Sequence, residues 1–196
     1  MPHMAGADLA LSIALGVGLA AAVGLRVFLP LMIVSLAAYS GQLTLSSGFT
    51  WLGTAPALVM LSVATALEIL GYYIPALDNL LDAIATPAAL IAGTVVSAAV
   101  MTELPPLVKW STAVIAGGGA AGVTQTLTAL LRAKSTLLTG GLGNPIIASV
   151  ELGGALTLSV LALATPFVAL ALVVCGAWFV LRVVRLRRGR ATRAGP

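Results

Sequence analysis

Apolar residues run almost unbroken from position 9 to 39, then from about Trp51 to Ile74, Ala83 to Met101, Trp110 to Leu131 and Pro145 to Val184. An α-helix needs about 20 apolar residues to cross the hydrocarbon core, so each run reads as membrane-spanning. Polar and turn-forming segments separate them. These are the Gly/Ser/Thr-rich Ser40–Thr50, the stretch Asp78-Asn79-Leu80-Leu81-Asp82, Thr102–Lys109 with Pro105 and Pro106, and the Gly-rich Arg132–Asn144. The last run is about twice the length of one crossing. Thr165-Pro166 is its only helix-breaking signal, so a tight turn is expected there. The pattern predicts an all-α, polytopic integral membrane helical bundle of about six transmembrane helices, forming one membrane domain over residues 1–196.

Composition sharpens this picture. The chain is 60% hydrophobic and 8% charged, with a mean hydropathy of +1.10, whereas ordinary soluble domains carry about 25% charged residues. Most of its surface must face lipid. The net charge of +4 belongs to the tail, because Arg182, Arg185, Arg187, Arg188, Arg190 and Arg193 crowd the C-terminus. A basic tail can signal nucleic acid, but directly after an apolar helix the positive-inside rule accounts for it. The expectation is a multi-pass protein of the cytoplasmic (inner) membrane, with tail 185–196 in the cytoplasm and no nucleic-acid partner. Six spans then place the N-terminus and the Arg132/Lys134 loop in the cytoplasm too. Residues Leu9–Ala22 read as a retained first span rather than a signal peptide, since Met1–Asp8 carries no Lys or Arg.

Short matches relate the two halves. Ala85-Thr86-Pro87 parallels Ala164-Thr165-Pro166, Leu52-Gly53-Thr54-Ala55-Pro56 parallels Leu142-Gly143-Asn144-Pro145, and Ala64–Glu68 parallels Ala148–Glu151. They can be read as two inverted three-helix repeats, 9–101 and 110–187, a common construction of secondary transporters. They can equally be chance matches between apolar segments.

Few residues could carry chemistry. Arg26 lies deep in the first apolar run, where insertion of an arginine costs about 2.5–3.5 kcal/mol. Pro30 frees the carbonyl at position 26 and should kink or break the helix there. Either Arg26 is buried and paired, or it snorkels to an interface. Glu68 and Glu151 are its expected partners, which leaves one carboxylate over to be protonated or to bind a cation, unless the pair serves packing alone. Asp78 and Asp82, four apart, could help hold a hard metal cation, or could cap helices. Gln125 in Thr124-Gln125-Thr126-Leu127-Thr128, behind the small residues Gly117–Gly122, suits helix packing or a polar cavity, and Asn144 is similar. Cys175 is alone, and His3 is the only histidine. No HExxH, GxSxG or phosphate-binding loop occurs, so the sequence points away from an intramembrane hydrolase, and no cofactor is expected.

Taken together, Gly24-Leu25-Arg26-Val27-Phe28-Leu29-Pro30, Glu68, Ile74-Pro75-Ala76-Leu77-Asp78-Asn79, Asp82, Pro87 and Ala92-Gly93 resemble a bacterial membrane-protein family. That family is known only as a domain of unknown function, DUF4126. Gly143-Asn144-Pro145 with Ser149 and Glu151 extends the resemblance over nearly the whole chain. Where the family often has an acid and a lysine before the Ile-Pro, this chain has Tyr72 and Tyr73, and Leu152 replaces an acid after Glu151. The resemblance implies a fold but no activity.

The leading expectation is a small secondary transporter or channel for an ion or small solute, with Arg26, Glu68 and Glu151 as its polar core and Asp78, Asp82, Gln125 and Tyr72 contributing. A membrane scaffold is the alternative. A lipid-headgroup enzyme using Asp78 and Asp82 with a metal is the third. Besides the lipid bilayer, the expected partners are the unidentified solute and a second copy, as a homodimer through the Gly-rich spans.

Overall fold

The computed structural model describes the backbone of residues 2–191, and the side chains within it except those of residues 2–5, 75–76, 78–79, 181 and 183–191. The side chains of Asp78 and of most of the basic tail therefore lie outside the described residues.

The described chain is helical throughout, with α1 (Pro2–Val23), α2 (Phe28–Tyr39), a 3-10 segment (Ser47–Gly53), α3 (Ala55–Tyr72) and α4 (Pro75–Val100). There follow α5 (Pro106–Thr112), a π-helical segment (Ala113–Gly118), α6 (Gly119–Thr139), α7 (Asn144–Ala164) and α8 (Pro166–Ala191). Five stretches are long and apolar enough to cross a membrane: Gly6–Val23, Ala55–Tyr72, Leu80–Val100, Pro106–Thr139 and Asn144–Ala164. Phe28–Tyr39 is a shorter apolar helix, and Pro166–Val180 is the apolar part of α8 among the described residues. The chain is a multi-pass helical membrane bundle by length and composition. Proline sets most helix starts, standing at the first or second position of α3, α4, α5 and α7, where its missing N–H is not needed. Thr165, extended at φ −144°, breaks the last apolar run where expected.

The first apolar run behaves differently from a single kinked span. It folds as two helices, α1 and α2, broken at Gly24–Val27, with Pro30 inside the first turn of α2. Gly16 O accepts a hydrogen bond from Ser97 Oγ on α4 at 2.8 Å, and the N–H of Ser46 donates to Ala99 O at 2.8 Å. Ser46 is therefore almost level with Gly16. From Gly16 to the break is about 15 Å, α2 adds about 18 Å, and the seven residues from Tyr39 to Ser46 reach at most about 25 Å. Only an α2 that folds back along α1 satisfies these distances. α1 and α2 form a helical hairpin whose tip is Gly24–Val27.

Further contacts fix the directions. A Cβ on Gly18 would lie 3.1 Å from Ala162 and one on Gly154 3.2 Å from Leu25, so α7 runs antiparallel to α1. α4 is likewise antiparallel to α1, and α6 to α4. The hairpin adds a reversal, so the start of α1 and the end of α8 lie at opposite ends of the bundle. An N-terminus on the same side as the C-terminus, as a single first span implies, does not fit this geometry.

α1 is the central helix, packed on α4, α6, α7 and α8. Its apolar stretch is 61% buried, against 28–50% for the other four. Small residues permit the close approach. A Cβ on Gly24 would stand 2.4 Å from Ala121 O, and one on Gly93 2.5 Å from Ala121 Cβ. Gly117, Gly118 and Gly122 of the Gly-rich run likewise pack on α4.

Two segments read as breaks are helical. Asp78–Asp82 lies within α4, which runs unbroken from Pro75 and passes Pro87. Ile74 holds its N-cap position, so Asp82 caps nothing. Arg132 and Lys134 belong to α6, which continues to Thr139 and ends at Gly140 with φ +62°, the left-handed conformation glycine supplies. Of the half-to-half matches, Pro56 and Pro145 both open helices. Thr86-Pro87, however, is mid-helix while Thr165-Pro166 joins two helices.

Candidate functional site

The hairpin tip stops short of one end of the bundle. Asp82, Arg132 and Glu151 each lie seven residues inside their helix ends at that end, about 10 Å deep. They meet Arg26, Glu68 and Tyr72 between the tip and that end.

Arg26 is 2% exposed. Its Nη2 donates to Ala148 O at 2.8 Å and stands 3.6 Å from Glu151 Oε2. Its Nε and Nη1 are buried and make no hydrogen bond among the described residues. Glu68 takes another role. Its Oε1 accepts the N–H of Val27 at 2.7 Å, and its Oε2 that of Phe28 at 3.1 Å. The carboxylate of α3 thus caps the N-terminus of α2, where unpaired N–H groups and the helix dipole favour negative charge. Glu68 is less the ion-pair partner of Arg26 than the clasp holding the hairpin tip against α3.

Arg132 is the principal partner of Glu151. Its Nε donates to Glu151 Oε1 at 3.1 Å, and its Nη2 to Oε2. Asp82 Oδ1 lies 3.8 Å from the same Nε. Both guanidiniums stack on Tyr72, with each Cζ 4.0 Å from the ring centroid, a favourable cation–π geometry in a desolvated setting. One residue on, Tyr73 Oη pairs with Ser149 Oγ at 2.8 Å, tying α3 to α7.

Helical spacing builds these faces. Ala121, Gln125, Thr128 and Arg132 are the buried stripe of α6, and Ala148, Glu151, Ala155 and Ser159 belong to that of α7. Gln125 is buried two turns from Arg132, and Asn144 donates to Thr136 Oγ1 at 3.1 Å.

The structure brings together Arg26, Glu68, Glu151, Tyr72 and Asp82. Asp82 faces an arginine, and no group of three or more His, Cys, Asp or Glu able to hold a metal occurs among the described residues. Arg132 was missed because Lys134 and the glycines beyond it make 132–144 look like a loop. Its 4-3-4 spacing from Ala121, Gln125 and Thr128 was the available signal. Among the described residues the cluster holds three carboxylates and two guanidiniums.

Beside the cluster, a groove of about 330 Å³ opens between α2, α3 and α4, with Glu68 and Tyr72 in its lining and otherwise apolar walls. A second apolar groove of about 430 Å³ lies between α1, α6 and α8.

The domain of unknown function DUF4126 matches residues 13–186. The chain belongs to this family. The match takes in the hairpin, the whole charged cluster and the apolar part of α8. No curated protein and no solved structure matches the chain.

Proposed function

We propose that this DUF4126 protein is a small secondary transporter or channel that moves an ion or small solute through the charged cluster at the hairpin tip. The observation carrying this reading is a broken helix whose capped N-terminus meets two buried carboxylates, the half-buried Asp82 and two buried guanidiniums. Discontinuous helices near the midplane are the recurring way transporters present backbone and charge to a solute. Buried charge costs several kcal/mol per ion unless paired, so a purely structural cluster would be expected to balance. Among the described residues one acid is in excess, which suits a proton or another monovalent cation. The basic tail orients the cluster's end of the bundle toward the cytoplasm of an inner-membrane protein.

A scaffold reading draws on the tight engagement of Arg132 with Glu151 and of Glu68 with α2. The two are separated by proteoliposome flux. A transporter gives gradient-driven uptake that Glu151→Gln removes, whereas a scaffold gives none.

A further inference from the structure

We infer that the groove between α2, α3 and α4 is a binding site for a lipophilic monovalent organic cation that enters sideways from the hydrocarbon. The inference rests on the transport reading and deepens it by naming the class of solute.

The groove's rim is lipid-facing, with Leu67 64% and Ile84 55% exposed. Its walls carry aliphatic side chains and the ring of Phe28. Such a surface does not replace the hydration shell of an inorganic ion, and transferring one there is strongly unfavourable. It does accept carbon. At the buried end, Glu68 accepts one backbone N–H on each oxygen, leaving each oxygen a further lone-pair site.

Charge selects among apolar ligands. With three carboxylates against two guanidiniums among the described residues, the cluster repels an anion and gains nothing electrostatic from a neutral molecule. One positive charge beside Glu68 offsets the acid in excess among these residues. Phe28 adds a ring for cation–π contact, while Tyr72 already carries both arginines. A volume of about 330 Å³ is at the small end of ligand pockets, enough for one compact organic cation.

The test is equilibrium binding of tetraphenylphosphonium to the full chain in nanodiscs. Wild type is expected to bind saturably at one site. Glu68→Gln should weaken binding about tenfold or more, the scale of one partly desolvated ion pair. Ala88→Leu narrows the groove without touching the carboxylate and should weaken binding as well. Gln125→Ala, outside the groove, should not. Should Glu68→Gln fail to fold, Ala88→Leu against Gln125→Ala decides. No saturable binding by wild type, or binding unchanged by both groove variants, overturns the site. Binding unchanged by Glu68→Gln but lost in Ala88→Leu marks a slot for lipid chains and overturns it too. Ion currents without tetraphenylphosphonium binding sink the site and leave transport standing. Binding without any transport does the reverse.

Discussion

Arg132→Met should be among the most damaging substitutions in the protein, and Glu151→Met should partly rescue it. Arg132 and Glu151 have side chains 3% and 5% exposed and share two hydrogen bonds. Removing the arginine takes both hydrogen bonds from Glu151 and the neighbour at 3.8 Å from Asp82, and leaves Arg26 as the guanidinium beside Glu151. Unit charges 4 Å apart interact by about 4 kcal/mol at an effective dielectric of 20, and breaking a buried pair from one side costs about 3–5 kcal/mol. Arg132→Met should lose about that much. Glu151→Met should lose less, because Arg132 still faces Asp82 and Arg26 keeps its hydrogen bond to Ala148 O. Replacing both partners by apolar groups of similar volume is often close to neutral, so the double variant should lie about 2 kcal/mol or more above the sum of the singles. Reversible unfolding in mixed micelles with increasing SDS reads all four corners of the cycle. Strictly additive losses would refute the pair as the organising contact of the cluster.

Three further outcomes follow from the same geometry. Gly24→Ala and Gly93→Ala place a Cβ 2.4 Å and 2.5 Å from Ala121 atoms, whereas Gly119→Ala meets nothing within 4 Å. Thermal unfolding should show the first two destabilised by about 1–3 kcal/mol and the third unchanged. Tyr72→Phe keeps the ring beneath both guanidiniums, while Tyr72→Leu loses two desolvated cation–π contacts of about 2 kcal/mol each, so the same assay should separate them clearly. In a Cys175→Ser background, a membrane-impermeant maleimide should label Asp8→Cys and Thr44→Cys from one side and Thr139→Cys from the other. Asp8 and Thr44 labelled from opposite sides would rule out the hairpin.

Helices and their boundaries were legible where apolar length and proline decide them, as at Pro145 and Thr165-Pro166, whereas α3 starts at Ala55, after a 3-10 segment that holds Trp51. The hairpin was only half legible. Pro30 announces a break after Arg26, but hydropathy is blind to direction, and α2 turns back because Ser46 must reach Ala99. Arg26, Glu68 and Glu151 stood out because intramembrane charge is costly. What Glu68 does there was hidden, since the N–H groups it caps belong to a helix start that only the fold creates. Asp82 and Arg132 looked like helix-end and loop residues because polar neighbours surround them in sequence. Helical periodicity and tertiary packing turn them inward onto the same cluster.

The most direct test of the account is a current. Purified protein in liposomes, subjected to ion and pH jumps, should give transient charge movement that is absent when Glu151→Gln, shown to fold by its unfolding curve, replaces the wild type. No current and no solute uptake by wild type under any imposed gradient would contradict transport and leave the charged cluster as the clasp of a membrane scaffold.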